Sequence, residues 1–238
     1  MRPRSARLSV VLAVVASSAI LAPTTARAQF GGGATHTSFG ILIGSNLSSI
    51  SDADRGVRDV FGAAFDTKRR VGLNAGIYAS IPLAGAFALQ PEAHYSQQGV
   101  TYESTLSGNS AKFGLKVDYV EVPVLLRIDV GNKASHLHPI LLLGASGAFR
   151  ISCSTSATSG SSTFSQQCSE NTTSTSPDPI KKYDVAAIGG AGLSLSALGR
   201  SYALTVRYSQ GLSNISTQSN SNISPKNSVL SVQLSIGN

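Results

Sequence analysis

The chain has 238 residues, of which 13% are charged and 42% hydrophobic, with two cysteines and no tryptophan. A charged share about half the usual one quarter excludes charge-driven disorder and a helical bundle laced with surface charge, with Gly, Ser and Thr filling the gap. The formal charge of +7 drops to 15 basic against 12 acidic side chains once Arg2, Arg4, Arg7 and Arg27 are set aside, which leaves no footprint for nucleic acid.

Those four arginines belong to a segment that reads as an export signal. Arg2, Arg4 and Arg7 precede a largely apolar stretch from Leu8 to Ala22. Pro23 and Thr24 break it, and Ala26-Arg27-Ala28 fits a small-x-small cleavage site. Residues 1–28 are therefore expected to be a signal peptide and 29–36 a short periplasmic lead-in. No later stretch approaches the roughly 18 apolar residues of a spanning helix, so residence in a membrane would require a barrel.

From residue 37 onward the dominant signal is an alternation of period two, which is the pattern of strands. Strands are expected near 37–47, 70–81, 86–98, 116–130, 138–151, 183–196, 202–212 and 227–237. The second is the clearest. Val71, Leu73, Ala75, Ile77, Ala79 and Ile81 share one face, against Gly72, Asn74, Gly76, Tyr78 and Ser80. In the third, Phe87, Leu89, Pro91, Ala93 and Tyr95 oppose Ala88, Gln90, Glu92, His94 and Ser96. The fourth sets Val120, Val122, Val124, Leu126, Ile128 and Val130 against Tyr119, Glu121, Pro123, Leu125 and Arg127.

The connections 48–69, 82–85, 99–115, 131–137, 152–182, 197–201 and 213–226 alternate long and short. Bacterial outer-membrane barrels have that asymmetry, with long loops outside and tight turns in the periplasm. A soluble barrel would show the same alternation but would turn its apolar face inward. The second face is rich in small residues (Gly72, Gly76, Gly144, Ser146, Ala148) and poor in charge, as a narrow lumen needs and a soluble surface does not. Phe87, Tyr95, Phe149, Tyr202 and Tyr208 lie near strand ends on the apolar face, where interfacial girdles would sit. The expected fold is an all-β, eight-stranded antiparallel up-and-down transmembrane barrel over 37–238.

Several segments carry a resemblance. They are Leu89-Gln90-Pro91-Glu92 through Tyr95-Ser96-Gln97-Gln98-Gly99, Tyr119 through Arg127, Pro139 to Gly144, Asp184, and Arg207 through Ile215. In this order they resemble the eight-stranded outer-membrane β-barrel family that includes PorT-like proteins. The resemblance implies the fold and an outer-membrane location, with lipid, lipopolysaccharide and the barrel-insertion machinery as partners. It implies no cofactor and no activity. Such barrels usually finish on an aromatic residue, whereas this sequence finishes Ser235-Ile236-Gly237-Asn238.

Candidate chemistry is sparse. Glu92, Glu121, Arg127, Arg150 and Arg207 fall on the lumen face, where charges must pair because an unpaired buried ion costs several kcal/mol. They are expected to form a structural charge network in a lumen too narrow to conduct. Glu92, His94 and Ser96 share a strand face and are the best lead to an outer-membrane lipid-modifying enzyme. Their i, i+2 spacing of roughly 7 Å is too long for a nucleophile–base hydrogen bond. His136 and His138 flank a turn with no third metal ligand in view. Gly189-Gly190-Ala191-Gly192 has no following helix and so is no phosphate loop. Asn171-Thr172-Thr173 and Asn222-Ile223-Ser224 fit a glycosylation pattern that Ser- and Asn-rich loops produce by chance.

Residues 152–182 hold ten Ser and six Thr, with Cys153 and Cys168 bracketing the first half. In an oxidising compartment these two cysteines read as a disulfide, on a loop able to meet a surface ligand. The functional expectation is a small non-conducting outer-membrane barrel, not an enzyme, with an envelope-structural, adhesion or secretion-accessory role. A soluble lipocalin-like binder of hydrophobic ligands is the rival; it would normally carry a Trp on its first strand.

Overall fold

A computed structural model describes residues 36–51, 66–106, 109–131, 135–160, 162–168, 180–215 and 224–238. The expected signal peptide, the 29–36 lead-in except His36, and most of both glycosylation patterns lie outside these. Nine strands are present among the described residues: β1 (Ser38–Ile50), β2 (Asp66–Pro82), β3 (Phe87–Leu106), β4 (Asn109–Asp129), β5 (Leu137–Ser159), β6 (Ser162–Gln167), β7 (Tyr183–Ala197), β8 (Arg200–Gly211) and β9 (Asn227–Gly237).

Eight of them close a barrel. Successive strands pair antiparallel, β5 passes over β6 to pair with β7, and β1 pairs with β9 through contacts such as Ile43↔Leu234. Closure satisfies every strand's backbone without leaving an edge inside the bilayer. The face that meets the surroundings is apolar: Phe39, Ile41, Ile77, Val122, Val124, Leu143, Leu204 and Leu234 all point outward with about half or more of their surface exposed. The inward face is polar. The soluble-barrel alternative fails on this inversion, because a lipocalin-like barrel would bury the set that here lies outside. Small residues let the strands approach; a Cβ on Gly144 would collide with the Val124 carbonyl oxygen.

Two expected loops are, among their described residues, largely strand. The stretch 99–115 continues β3 to Leu106 and resumes β4 at Asn109, with Val100↔Leu115, Tyr102↔Phe113 and Glu103↔Lys112 as partners. Cross-strand aromatic and branched pairs of this kind stabilise a ladder above the membrane. Gly99, at φ 145°, makes the irregularity beneath it possible, where the β2–β3 register shifts between Arg69 and Asn74. The Lys112 ammonium, 2.9 Å from Glu103, holds that carboxyl below its ordinary range.

The stretch 152–182 likewise begins as strand. β5 runs on to Ser159, the chain reverses through Gly160 at φ 58°, and β6 returns beside it from Ser159↔Ser162 to Ser154↔Gln167. β2 to β6 therefore project beyond the barrel as one sheet on the extracellular side. A tilted strand needs about ten residues to cross the bilayer, and β5 has 23. The regular alternation of long and short connections thus breaks between β3 and β4.

At the opposite, periplasmic end the connections stay tight. Leu198 and Gly199 turn β7 into β8, both with positive φ, 54° and 71°. Two such residues make a type I′ hairpin turn, which favours Asn or Gly over a bulky side chain. Leu198 is 95% exposed and gains no packing in return. Leu198→Asn is expected to raise the urea midpoint of refolding by an amount equivalent to about 1 kcal/mol.

Candidate functional site

The lumen is the only part of the sequence reading with concentrated polar chemistry, and the structure arranges it in tiers. Nearest the periplasm, Arg127 donates from Nε and Nη2 to Asp129 Oδ1, at 3.0 and 2.9 Å. Its Nη2 also reaches Ser194 Oγ at 3.1 Å, and His138 Nε2 lies 3.2 Å from the same Asp129 oxygen.

The second tier spans the barrel. Arg207 on β8 grips Glu92 on β3 with two parallel hydrogen bonds, 2.7 and 2.9 Å. Gln90 Nε2 adds a third at 2.7 Å. The Glu92 side chain is wholly buried. Bidentate geometry of this kind is the strong form of the ion pair, and the guanidinium fork fixes its direction. Immediately above, His94 and Glu121 are direct cross-strand partners, and His94 Nε2 sits 3.1 Å from Glu121 Oε2.

Higher still, Asn46 is a hub without charge. Its amide donates to Ser96 Oγ and to the Gln97 carbonyl, and its oxygen accepts from Ser231 and Asn74. At the top of the lumen, Asp184 accepts from Asn227 at 2.7 Å and from Ser213. Above these lies an apolar cap of Ile50, Val100, Val117, Tyr119, Cys153, Ile180 and Ile215, with Tyr102, Leu115 and Cys168 packed against it.

The five charged residues singled out in the sequence are therefore distributed rather than joined. Glu92 and Arg207 meet each other. Arg127 meets Asp129, which sequence reasoning passed over although it sits two residues along on the same face. Glu121 faces His94 rather than an arginine. Arg150 is buried at the top of the lumen, opposite Tyr119 in the β4–β5 register. Asp184 entered the sequence reading only through the family resemblance, and Asn46 and Asn227 carried no signal beyond being polar on the inward face.

Glu92, His94 and Ser96 share a face but have different partners. Glu92 belongs to Arg207, His94 to Glu121, and Ser96 Oγ accepts from Asn46 and Gln98. His136 is exposed while His138 is buried against Asp129, so the two histidines do not converge.

Cys153 and Cys168 are joined, with their Cα atoms 5.3 Å apart, and Cys168 N–H donates to the Cys153 carbonyl at 3.0 Å. The bond staples the base of the β5–β6 hairpin and packs into the apolar cap. A cross-link over 15 positions is worth about 3 kcal/mol in the chain-entropy model. Barrel closure rests on other strand pairs. A double Cys→Ser variant is expected to insert and keep heat-modifiable migration on a gel, yet be cut faster by protease between 152 and 168. Failure to insert would contradict this division between hairpin and barrel.

The profile of a family described as outer membrane protein beta-barrel domain matches residues 28–217. Among solved structures, the chain is similar in fold to Ail, the attachment invasion locus protein of Yersinia pestis, solved in complex with the heparin analogue sucrose octasulfate. The identity is 15% and the TM-score 0.38, over 85% of this chain and 97% of that one. It is also similar to Neisserial surface protein A, at 14% identity and TM-score 0.43 over 86% and 98% of the two chains. The N-terminal β-barrel domain of Pseudomonas aeruginosa OprF matches at 11% identity and TM-score 0.33, over 82% and 96%. No curated protein sequence matches the chain.

Proposed function

Because the chain belongs to the outer membrane protein beta-barrel domain family, and so to the outer membrane of the Gram-negative envelope, we propose that it is a sealed barrel whose purpose lies at the cell surface. In this reading it is a non-conducting scaffold that holds the extended sheet of β2 to β6 outside the membrane for adhesive contact. One observation carries the proposal: the lumen is crossed by buried ion pairs and closed above by an apolar cap, while the extended sheet lies beyond the barrel. An eight-stranded interior is just wide enough for side chains to fill. The segment 1–28 fits this role as the export signal.

The hairpin suits contact better than transport. Its outer strand, Ser162-Thr163-Phe164-Ser165-Gln166-Gln167, is exposed along its length, uncharged and rich in hydrogen-bonding groups. The disulfide pre-orders it, which lowers the entropy lost when a partner docks.

The test is attachment of cells displaying the chain to a surface coated with extracellular matrix, compared with cells carrying a variant in which 156–165 is replaced by a short Gly-Ser turn. Surface amounts are matched and folding is checked by gel migration. The proposal predicts attachment above the vector control with the parent and its loss with the variant. Equal attachment by both, or none by either, would overturn the adhesive role.

A further inference from the structure

One region of the lumen gathers polar groups that the ion-pair tiers do not use. A cavity of about 20 Å³ lies beside the Glu92–Arg207 and His94–Glu121 pairs, lined chiefly by Asn74, His94, Gln98, Glu121, Arg207 and Gln233. All six residues are buried. Five polar atoms on them find no hydrogen-bond partner in the protein: Asn74 Oδ1, His94 Nδ1, Gln98 Oε1, Arg207 Nε and Gln233 Oε1. Buried polar groups left unmatched each cost about 1–3 kcal/mol, so five on the lining of a single cavity point to an occupant.

We infer that this cavity is a binding site for one long-lived water molecule, which accepts from the Arg207 Nε–H and donates its two hydrogens to two of the three amide oxygens of Asn74, Gln98 and Gln233. The volume sets the number. One water needs about 10–15 Å³ of such space, so the cavity is of the size for one. The chemistry sets the identity. A cation would meet the Arg207 guanidinium, and an anion would meet three carbonyl-type oxygens and the Glu121 carboxylate. A molecule that both donates and accepts meets the Arg207 Nε–H and two of the oxygens at once. A tightly held water of this kind completes the network linking β2, β3, β8 and β9 across the lumen without opening a file of waters through it. The inference concerns the barrel interior and is independent of any surface adhesion.

The test is water-to-protein cross-relaxation by NMR on the isotopically labelled full-length barrel in lipid nanodiscs, read at the side-chain amide groups of Asn74, Gln98 and Gln233. Cross-peaks with the sign of a water held much longer than surface hydration are expected, and they should be unchanged when KCl is exchanged for choline chloride. In a Gln98→Leu, Gln233→Leu variant that retains heat-modifiable migration, the peak at Asn74 should disappear. The parent measurement stands alone if that variant does not fold. Absent cross-peaks in the folded parent, peaks with the sign of fast-exchanging water, a retained Asn74 peak in the folded variant, or amide shifts that follow potassium would each overturn the assignment, the last in favour of a cation site.

Discussion

Arg207→Met is expected to destabilise the folded barrel by about 3–5 kcal/mol, measured as the urea dependence of refolding into lipid vesicles. The loss comes chiefly from what remains behind. Glu92 is completely buried, and without Arg207 it retains, among the described residues, the Gln90 amide at 2.7 Å and His94 at 3.9 Å. A carboxylate stranded in a water-poor lumen must be neutralised or expose itself, and either route opens β3 against β8. The double variant Glu92→Leu, Arg207→Met should recover most of the stability, because removing both charges removes the desolvation penalty that their pairing offsets. A single variant as stable as the parent would mean that the lumen is wet enough to solvate Glu92.

Placing Arg at Val122 or Val124 is expected to cost about 2–4 kcal/mol in the same vesicle assay. Both residues point away from the lumen, 52% and 49% exposed on the isolated chain, and both sit near the middle of the membrane-crossing part of β4. Hydrocarbon cannot hydrate a guanidinium, so the side chain must reach for the interface or drag water inward. The penalty should fall toward zero for the same change at Phe39, close to the periplasmic rim, since depth governs it. A neutral result at both central positions would mean that the apolar face of β4 is not at the bilayer midplane.

The barrel was legible in the sequence because one physical rule writes it there. Lipid outside and packed side chains inside demand alternation, and Val71 to Ile81 or Val120 to Val130 can satisfy that demand in only one secondary structure. The inward direction of Glu92, Glu121, Arg127, Arg150 and Arg207 followed from the same parity. Which of them meet was not legible. His94 and Glu121 touch because β3 and β4 pair in a particular register, and Glu92 finds Arg207 from 115 positions away only once the barrel has closed. Neither the register nor the stagger at closure is written in local periodicity.

The extracellular sheet was missed for a different reason. Val100, Tyr102, Phe113 and Leu115 do alternate, but Gly99, Asn109 and Gly114 around them look like loop punctuation. Ser154 to Ser159 and Ser162 to Gln167 have no apolar face at all, so nothing in the pattern distinguishes a strand from a polar loop. Outside the membrane no lipid imposes alternation. There the ladder is held by backbone pairing, by the Cys153–Cys168 bond and by the apolar cap, all of which are tertiary.

Ion conductance across a planar lipid bilayer containing the folded, full-length barrel tests the sealed lumen most directly. The tiers of Arg127–Asp129, Glu92–Arg207 and His94–Glu121 beneath the apolar cap predict no steady current above that of the bare bilayer, at either polarity and with the disulfide intact. Stable, ohmic steps that appear only with the heat-modifiable folded form would contradict that, and would make the lumen a pore.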